Sequence, residues 1–255
     1  MDSQDVDRVT ENATPVAAGP VTRTLLRWFM RPARVAAVER LSPRFRRVRL
    51  EGEALRDVLW APGQKIQVAM GMGLAARTYT PVSWDVTGGA TQLLAFSHGE
   101  GAHGGGPGSR WMAGLKAGDG CQFFGPRRSL DFTDHAGPWV LFGDETSFAV
   151  ALACRMALGS GFRCVFEVSD LAEARSVLDA VGLSDAMLIG RLAGEGHLAG
   201  VVDALSHAGG DAAHFALTGR APAIQQITRA LKERGVAASR RKAKAYWAPG
   251  KSGLD

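Results

Sequence analysis

Residues 139–158 read WVLFGDETSFAVALACRMAL. Trp139 to Phe142 is a short apolar run suited to a buried strand, and Phe148 to Leu158 is an apolar run of helical length; Gly143 to Thr146 turns the chain between them. The rhythm then repeats. Cys164 to Val168 is strand-like, Ala172 to Val181 helical, Met187 to Ile189 strand-like and Leu198 to Ser206 helical. His214 to Leu217 is a further strand and Pro222 to Arg234 a further helix. A β-α-β-α order implies a parallel sheet with helices on both faces.

Upstream the rhythm differs. Arg34 to Val38 and Phe45 to Leu50 alternate in polarity on either side of the turn Leu41-Ser42-Pro43. Ile66 to Met70, Arg77 to Trp84, Leu93 to Ser97 and Cys121 to Phe124 follow as short strands between Gly- and Pro-bearing turns. Six such strands predict a small antiparallel barrel. The expected organisation is a tail over 1–22, a barrel domain over 23–130, a linker from Asp131 to Pro138 and an α/β domain over 138–255.

Composition narrows the function. Hydrophobic residues make up 46% of the 255, as in a folded globular protein, and no apolar run approaches the ~18 residues of a membrane span. The first twenty residues are acidic and polar and do not read as a signal peptide, so a cytoplasmic protein is expected. Cys121, Cys154 and Cys164 lack CxxC spacing and are one short of the usual four ligands of an iron–sulfur cluster. The net charge of +5 is uneven: nine arginines fall between Arg23 and Arg49, and six Lys or Arg between Lys232 and Lys244. These are either solvated faces or a positive field for an anionic partner. Nucleic acid is not expected, because no helix-turn-helix, zinc finger or RNP-type segment is present.

Three constellations carry chemistry. In Arg77-Thr78-Tyr79-Thr80, strand alternation puts Arg77 and Tyr79 on one face and Thr78 and Thr80 on the other. Such a strand can offer a guanidinium fork to a diphosphate and hydroxyls to a ring system. Next, His98 and Gly99 open a glycine-rich stretch that runs to Gly108, and Ser109 is the expected N-cap of a short helix over Arg110 to Leu115. Glycines let a phosphate approach the backbone, and free amides in the first helical turn attract it. His98 and His103 have no accompanying Cys or carboxylate cluster, so turn residues rather than metal ligands are expected. Last come the turn Gly118-Asp119-Gly120 and the pair Gly125-Pro126, expected to end both strand and barrel.

In this order, RTYT at 77–80, HG at 98–99, GPGSRW at 106–111, GD at 118–119, GP at 125–126, GDETS at 143–147 and AYW at 245–247 resemble the siderophore-interacting protein family. These are NAD(P)H-dependent ferric-siderophore reductases with a ferredoxin-reductase-type FAD domain. The resemblance implies that Arg77, Thr78, Tyr79 and Thr80 hold FAD, and that His98, Gly108 and Ser109 line its diphosphate loop with Trp111 behind. It implies that Gly143, Asp144, Glu145 and Thr146 shape the nicotinamide-side cleft, and that Tyr246 and Trp247 lie against the flavin or beside the acceptor. NADH or NADPH would be the donor and an anionic ferric siderophore the acceptor, in a basic pocket for which Lys65, Arg127, Arg128 and Lys251 are candidates by placement. No catalytic side chain is required, since the flavin carries the electrons.

Two features qualify this reading. Asp144 and Glu145 are acidic at a helix start, where they would stabilise the helix and repel a phosphate, so capping and pocket shaping are expected of them. Gly219-Arg220 stands where the family usually has Gly-Glu, a charge change of two that leaves NADH against NADPH open. A reductase serving an oxygenase, free flavin or a quinone, and a non-catalytic ferric-chelate binder, are the alternatives. One barrel and one sheet are expected to act as a monomer.

Overall fold

The structure, a computed structural model, describes residues 29–69, 76–98, 107–132 and 137–250. The expected tail over 1–22, His103, part of the linker and Lys251 lie outside them.

The N-terminal half is an antiparallel sheet of β1 (Arg31–Arg40), β2 (Phe45–Glu51), β3 (Lys65–Ala69), β4 (Ala76–Tyr79), β5 (Pro81–Asp85), β6 (Ala90–Phe96) and β7 (Gly120–Arg127), in the order β4-β3-β7-β1-β2-β6-β5. The two end strands are consecutive in sequence, with only Thr80 between them. They form one bent ribbon whose first half pairs with β3 and whose second half pairs with β6, so the ribbon closes the barrel. The expected single strand from Arg77 to Trp84 is therefore two. Pro81 has no N–H to donate, and the pairing slips between Pro81 and Ser83. Alternation works as the sequence implies: Val35, Val48 and Leu50 point into the barrel core, while Arg34 and Arg49 face solvent.

Two expectations need correction here. Gly125-Pro126 does not end the strand, because β7 runs through it to Arg127 with a cis peptide at the proline and a slip in its pairing with β3 between Lys65 and Gln67. Gly125 has φ +115, and a Cβ there would lie 2.9 Å from the Lys65 carbonyl oxygen, so only glycine fits this close approach. The short helix α1 spans Pro107–Gly114, starting three residues earlier than a Ser109 cap requires. Pro107 suits a first helical position, so Ser109 falls inside the first turn. Met112 and Leu115 then plug the barrel core.

The C-terminal half is a wholly parallel sheet, β10-β9-β8-β11-β12, made of β8 (Trp139–Gly143), β9 (Phe162–Val168), β10 (Met187–Gly190), β11 (His214–Arg220) and β12 (Arg241–Trp247). Helices α2 (Phe148–Leu158), α3 (Leu171–Ala180), α4 (Leu198–Gly209) and α5 (Ala221–Glu233) alternate with the strands. β12 was not expected. Its sequence, RKAKAYW, falls partly in the basic run, and its lysines suit an edge strand where buried charge is not demanded. Strand order reverses between β8 and β11, which is the switch point where open α/β sheets bind ligands.

The halves share a core. Phe45 of β2 stacks on Phe148 of α2 at 5.2 Å and 8°, with Phe96 of β6 tilted against it at 4.9 Å. Val82 and Leu94 join from the barrel, and Leu130 and Phe132 from the segment that leaves it. Phe132 packs edge-on to Trp139 at 5.1 Å, so the linker begins as core. Around this core, Glu173 of α3 accepts hydrogen bonds from the Ser42 hydroxyl (2.7 Å), the Arg44 amide (3.0 Å) and the Arg44 guanidinium (2.5 Å). The three cysteines are buried free thiols, and burial pushes Cys121 up to about 11 and Cys164 to about 12. Among the described residues no helix is long and apolar enough to cross a membrane.

Truncating Phe148 to alanine removes the contact that joins the halves. It should cost about 3–5 kcal/mol, as for other buried aromatics, read as a lower urea midpoint by circular dichroism.

Candidate functional site

On the barrel side, the stem of Arg77 crosses Gly108 at the start of α1. A Cβ on Gly108 would lie 3.0 Å from Arg77 Cγ and 3.3 Å from its Nε. An Arg77 Nη1 hydrogen bond to the Ala76 carbonyl (3.0 Å) steadies the guanidinium beside that helical turn. The Ser109 hydroxyl donates to the carbonyl of His98 (3.4 Å), tying α1 to the end of β6. The first amides of a helix have no intrahelical partner, so a cation and several N–H donors converge on one spot. That donor set fits a diphosphate, and the missing Cβ of Gly108 leaves the cation close to the helix.

Tyr79, two residues along the same face, is held in the barrel core; burial pushes its hydroxyl up to about 12 against the opposing pull of Arg77. Thr78 lies opposite Gln67 of β3, and Trp111 packs against the barrel core. The barrel thus brings Arg77, His98, Gly108 and Ser109 together.

On the sheet side, Asp144 caps the turn that leaves β8. Its Oδ1 accepts from the Thr146 amide (2.9 Å) and the Thr146 hydroxyl, and Ser147 completes a capping box. Gly143 has no room for a side chain, since a Cβ would lie 2.3 Å from that of Ser147. Gly219, at φ +91 near the end of β11, is equally constrained: a Cβ would meet the Asp144 carboxylate at 2.7 Å. Trp247 closes the group, its Nε1 donating to Asp144 Oδ2 at 2.7 Å. Burial raises the Asp144 carboxyl from 3.8 to about 6; the Thr146 and Trp247 bonds pull it down and neighbouring Glu145 pushes it up. A folded group that keeps its proton to about pH 6 contributes stability below pH 3.8 that is lost as pH rises through about 6.

The C-terminal strand bridges the two sides. The buried Tyr246 hydroxyl is hydrogen-bonded to Thr80, at the bend of the barrel ribbon, and burial raises it well above the usual phenol range. The Trp247 ring lies 5.2 Å from that of His98. Burial of the His98 ring holds its pKa below the usual value, with Glu145 opposing. Barrel and sheet therefore meet along Thr80 and His98 on one side and Asp144, Tyr246 and Trp247 on the other, with Arg77 and Gly219 just behind.

Behind this edge lies a charge network that motif reading did not find. Glu145 accepts from the Ser169 amide (2.6 Å), the Ser169 hydroxyl (2.5 Å) and Arg191 (3.1 Å), which outweigh burial and hold its carboxyl below the usual range. Fully buried Glu167 receives both arms of Arg220, each at 3.0 Å, and sits 2.6 Å from His197 Nε2. The Leu192 amide donates to His197 Nδ1 (3.2 Å), so Nε2 is the nitrogen that donates to Glu167. Arg220 also pairs with Glu195. Glu167, Glu195 and His197 place ligand-type atoms within 4.8 Å of one another, but Arg220 already supplies the cation there. The unusual Arg220 thus faces inward onto two carboxylates.

Of the basic candidates, Lys65 and Arg127 are cross-strand partners one position beyond the Ile66–Tyr79 pair. Lys65 is 9% exposed, and the Arg127 guanidinium lies 5.0 Å over the Phe124 ring. Arg128 is 88% exposed and reaches Asp131 at 3.4 Å.

No family model and no curated protein matches this chain. Solved structures do. A siderophore utilization protein from T. fusca is 25% identical with TM-score 0.72, over 89% of this chain and 95% of that one. The siderophore-interacting protein SipS from Aeromonas hydrophila is 20% identical with TM-score 0.67, over 88% and 93%. The flavohem-like FAD/NAD-binding domain of nitric oxide dioxygenase from Vibrio cholerae is 17% identical with TM-score 0.64, over 86% and 99%. This chain has the fold of siderophore-interacting proteins and FAD/NAD-binding reductase domains. The resemblance read from its motifs is the one its three-dimensional neighbours show.

Replacing Glu167 with Gln strips the carboxylate that faces the Arg220 guanidinium. It should cost about 3–5 kcal/mol in urea unfolding, as for other broken buried ion pairs. Replacing exposed Arg128 with Ala should change stability by less than about 0.5 kcal/mol.

Proposed function

We propose that this protein is a flavin-dependent oxidoreductase that passes electrons from NADH or NADPH through FAD to the Fe(III) of an anionic siderophore. The observation that supports the reading is that the barrel corner and the switch point meet: Trp247 donates to Asp144 and packs against His98, whose carbonyl holds Ser109 of α1 beside Arg77. A diphosphate-bearing flavin on one side and a dinucleotide on the other would meet there.

In this reading Arg77 and the first amides of α1 hold the FAD diphosphate, with His98 and Ser109 shaping the loop. Thr80 and Tyr79 flank the ring system, and Thr78 and Trp111 support the strand and helix behind it. Bound FAD would accept a pair of electrons from the nicotinamide and deliver single electrons to ferric iron. Gly143 and Gly219 keep side chains out of the crevice, while Asp144, Glu145 and Thr146 form its floor through bonds that are already satisfied. Their carboxylates shape the nucleotide site and leave phosphate binding to other groups. Tyr246 and Trp247 line the boundary between donor and acceptor. Lys65 and Arg127, side by side on β3 and β7, offer positive charge to an anionic chelate, and Lys251 would add to it. Ferrous iron is a poorer partner than ferric iron for hard oxygen ligands, so reduction promotes release.

Anaerobic stopped-flow absorbance on the FAD-loaded protein tests this. Bleaching of the flavin band by NADH or NADPH, then its return with Fe(II) formation on adding ferric chelates, is expected. No response to either nicotinamide sinks the reductase reading; bleaching without response to any ferric chelate sinks the siderophore part. Replacing Arg77 with Ala should weaken FAD binding about 10- to 100-fold by titration, the usual range for losing a charged hydrogen bond.

A further inference from the structure

Trp247 ends the edge strand β12, and Asp144 directly follows β8; β11 lies between these two strands in the sheet. For the indole to reach Asp144 it must pass over the carboxyl end of β11. Gly219 makes that possible, since its absent side chain is what leaves the Asp144 carboxylate uncovered. The indole therefore spans the β8/β11 switch point, and its far side meets His98 of the barrel.

The Asp144 carboxylate is matched to this task. Oδ1 takes two donors from Thr146, and Oδ2 takes the Trp247 indole N–H. All three donate to the ionised carboxylate. A proton settles on Oδ2, the oxygen with one partner against two, and an acid O–H oxygen is a far poorer acceptor than a carboxylate oxygen, so the bond that loosens is the one to the indole.

We propose that Asp144 is a positioning residue that latches the Trp247 indole across the switch-point crevice, so that dinucleotide entry requires the latch to open. The access role rests on the oxidoreductase reading above; the latch itself does not. Burial places the titration of Asp144 at about 6, which puts the opening within an ordinary range of pH. The other titratable groups facing it are Glu145 on its own turn, Tyr246 on β12 and, across the indole, His98 just past β6. Glu145 is held ionised by Ser169 and Arg191, and the Tyr246 phenol stays protonated. Burial holds His98 below its usual value, so its titration is the one to be separated from that of Asp144.

The test is an indole ¹H–¹⁵N NMR titration of the full chain between pH 5 and 8. Six tryptophans give six indole signals, and the one lost in W247F is that of Trp247. Its signal is expected to move with a midpoint near 6 in the native protein and to stay put in D144N, whose Asn can still cap the turn. A signal that ignores pH, or that moves equally in D144N as His98 would cause, overturns the latch. With FAD-loaded protein, D144N should lower KM for the nicotinamide about tenfold and leave kcat within about threefold, because a closed state that binding must open weakens apparent affinity. An unchanged KM with a released indole overturns the access role. If the loaded protein oxidises neither NADH nor NADPH, the oxidoreductase reading falls while the indole titration still decides the latch.

Discussion

The contact on which the cleft depends is Phe148 against Phe45. A barrel and a parallel sheet joined only by a short segment would be free to rock, as domains with small polar interfaces do. Here the first helix of the sheet domain sets an aromatic ring against the outer face of the barrel, stacked on Phe45 in a core shared with Phe96, Val82 and Leu94. Phe148 opens that helix directly after the GDETS turn, so the residue that locks the halves sits four positions from Asp144. Locking the domains and placing the crevice floor are thus one local event. The same ribbon that closes the barrel, 76–85, bends at Thr80, and Tyr246 meets it there. The barrel seam and the sheet edge are registered at both ends of the cleft.

Charge is handled in the same economical space. Three arginines and four glutamates gather behind the strand ends, and each buried carboxylate has a cation or several N–H and O–H donors. Arg44 bonds both Glu173 and the hydroxyl of Ser169, and Ser169 in turn donates to Glu145. The network therefore runs from the barrel hairpin to the far edge of the sheet. A buried ion pair adds little stability compared with an apolar packing of the same shape, but it is costly to break one-sidedly. Its value here is geometric: it fixes where β9, β10 and β11 end relative to one another, and those ends are the walls of the crevice.

Much of this was legible in the sequence. The switch from period-two alternation to strand–helix repeats at Trp139 marks the change of architecture, and RTYT with the glycine-rich stretch marks the barrel side of the cleft. What stayed hidden has physical reasons. β12 carries two lysines and an arginine, because an edge strand can hold charge on its rim, and charge is what hides a strand from hydropathy. The break at Thr80 and the passage of β7 through Gly125-Pro126 depend on pairing slips that no local pattern records. Glu167, Glu195, His197 and Arg220 are far apart in sequence and meet only because parallel strands bring their carboxyl ends together. Arg220 was visible as an oddity, yet its inward direction was not.

That direction bears on how the site recognises anions. A guanidinium at the end of β11, beside Gly219, would look from sequence like a phosphate ligand at the switch point. Because it donates to Glu167 and Glu195, its charge is neutralised within the fold, and the crevice floor next to it presents Asp144 and an indole. In the function proposed above, anion attraction is left to the barrel side, where Arg77 lies beside a helix N-terminus and Lys65 is the cross-strand partner of Arg127. The two faces of the cleft therefore differ in kind. The barrel face carries Arg77, while the sheet face carries a satisfied acidic turn and a close-packed backbone, and on the proposed reading a ligand that bridges them would put its anionic groups toward the barrel.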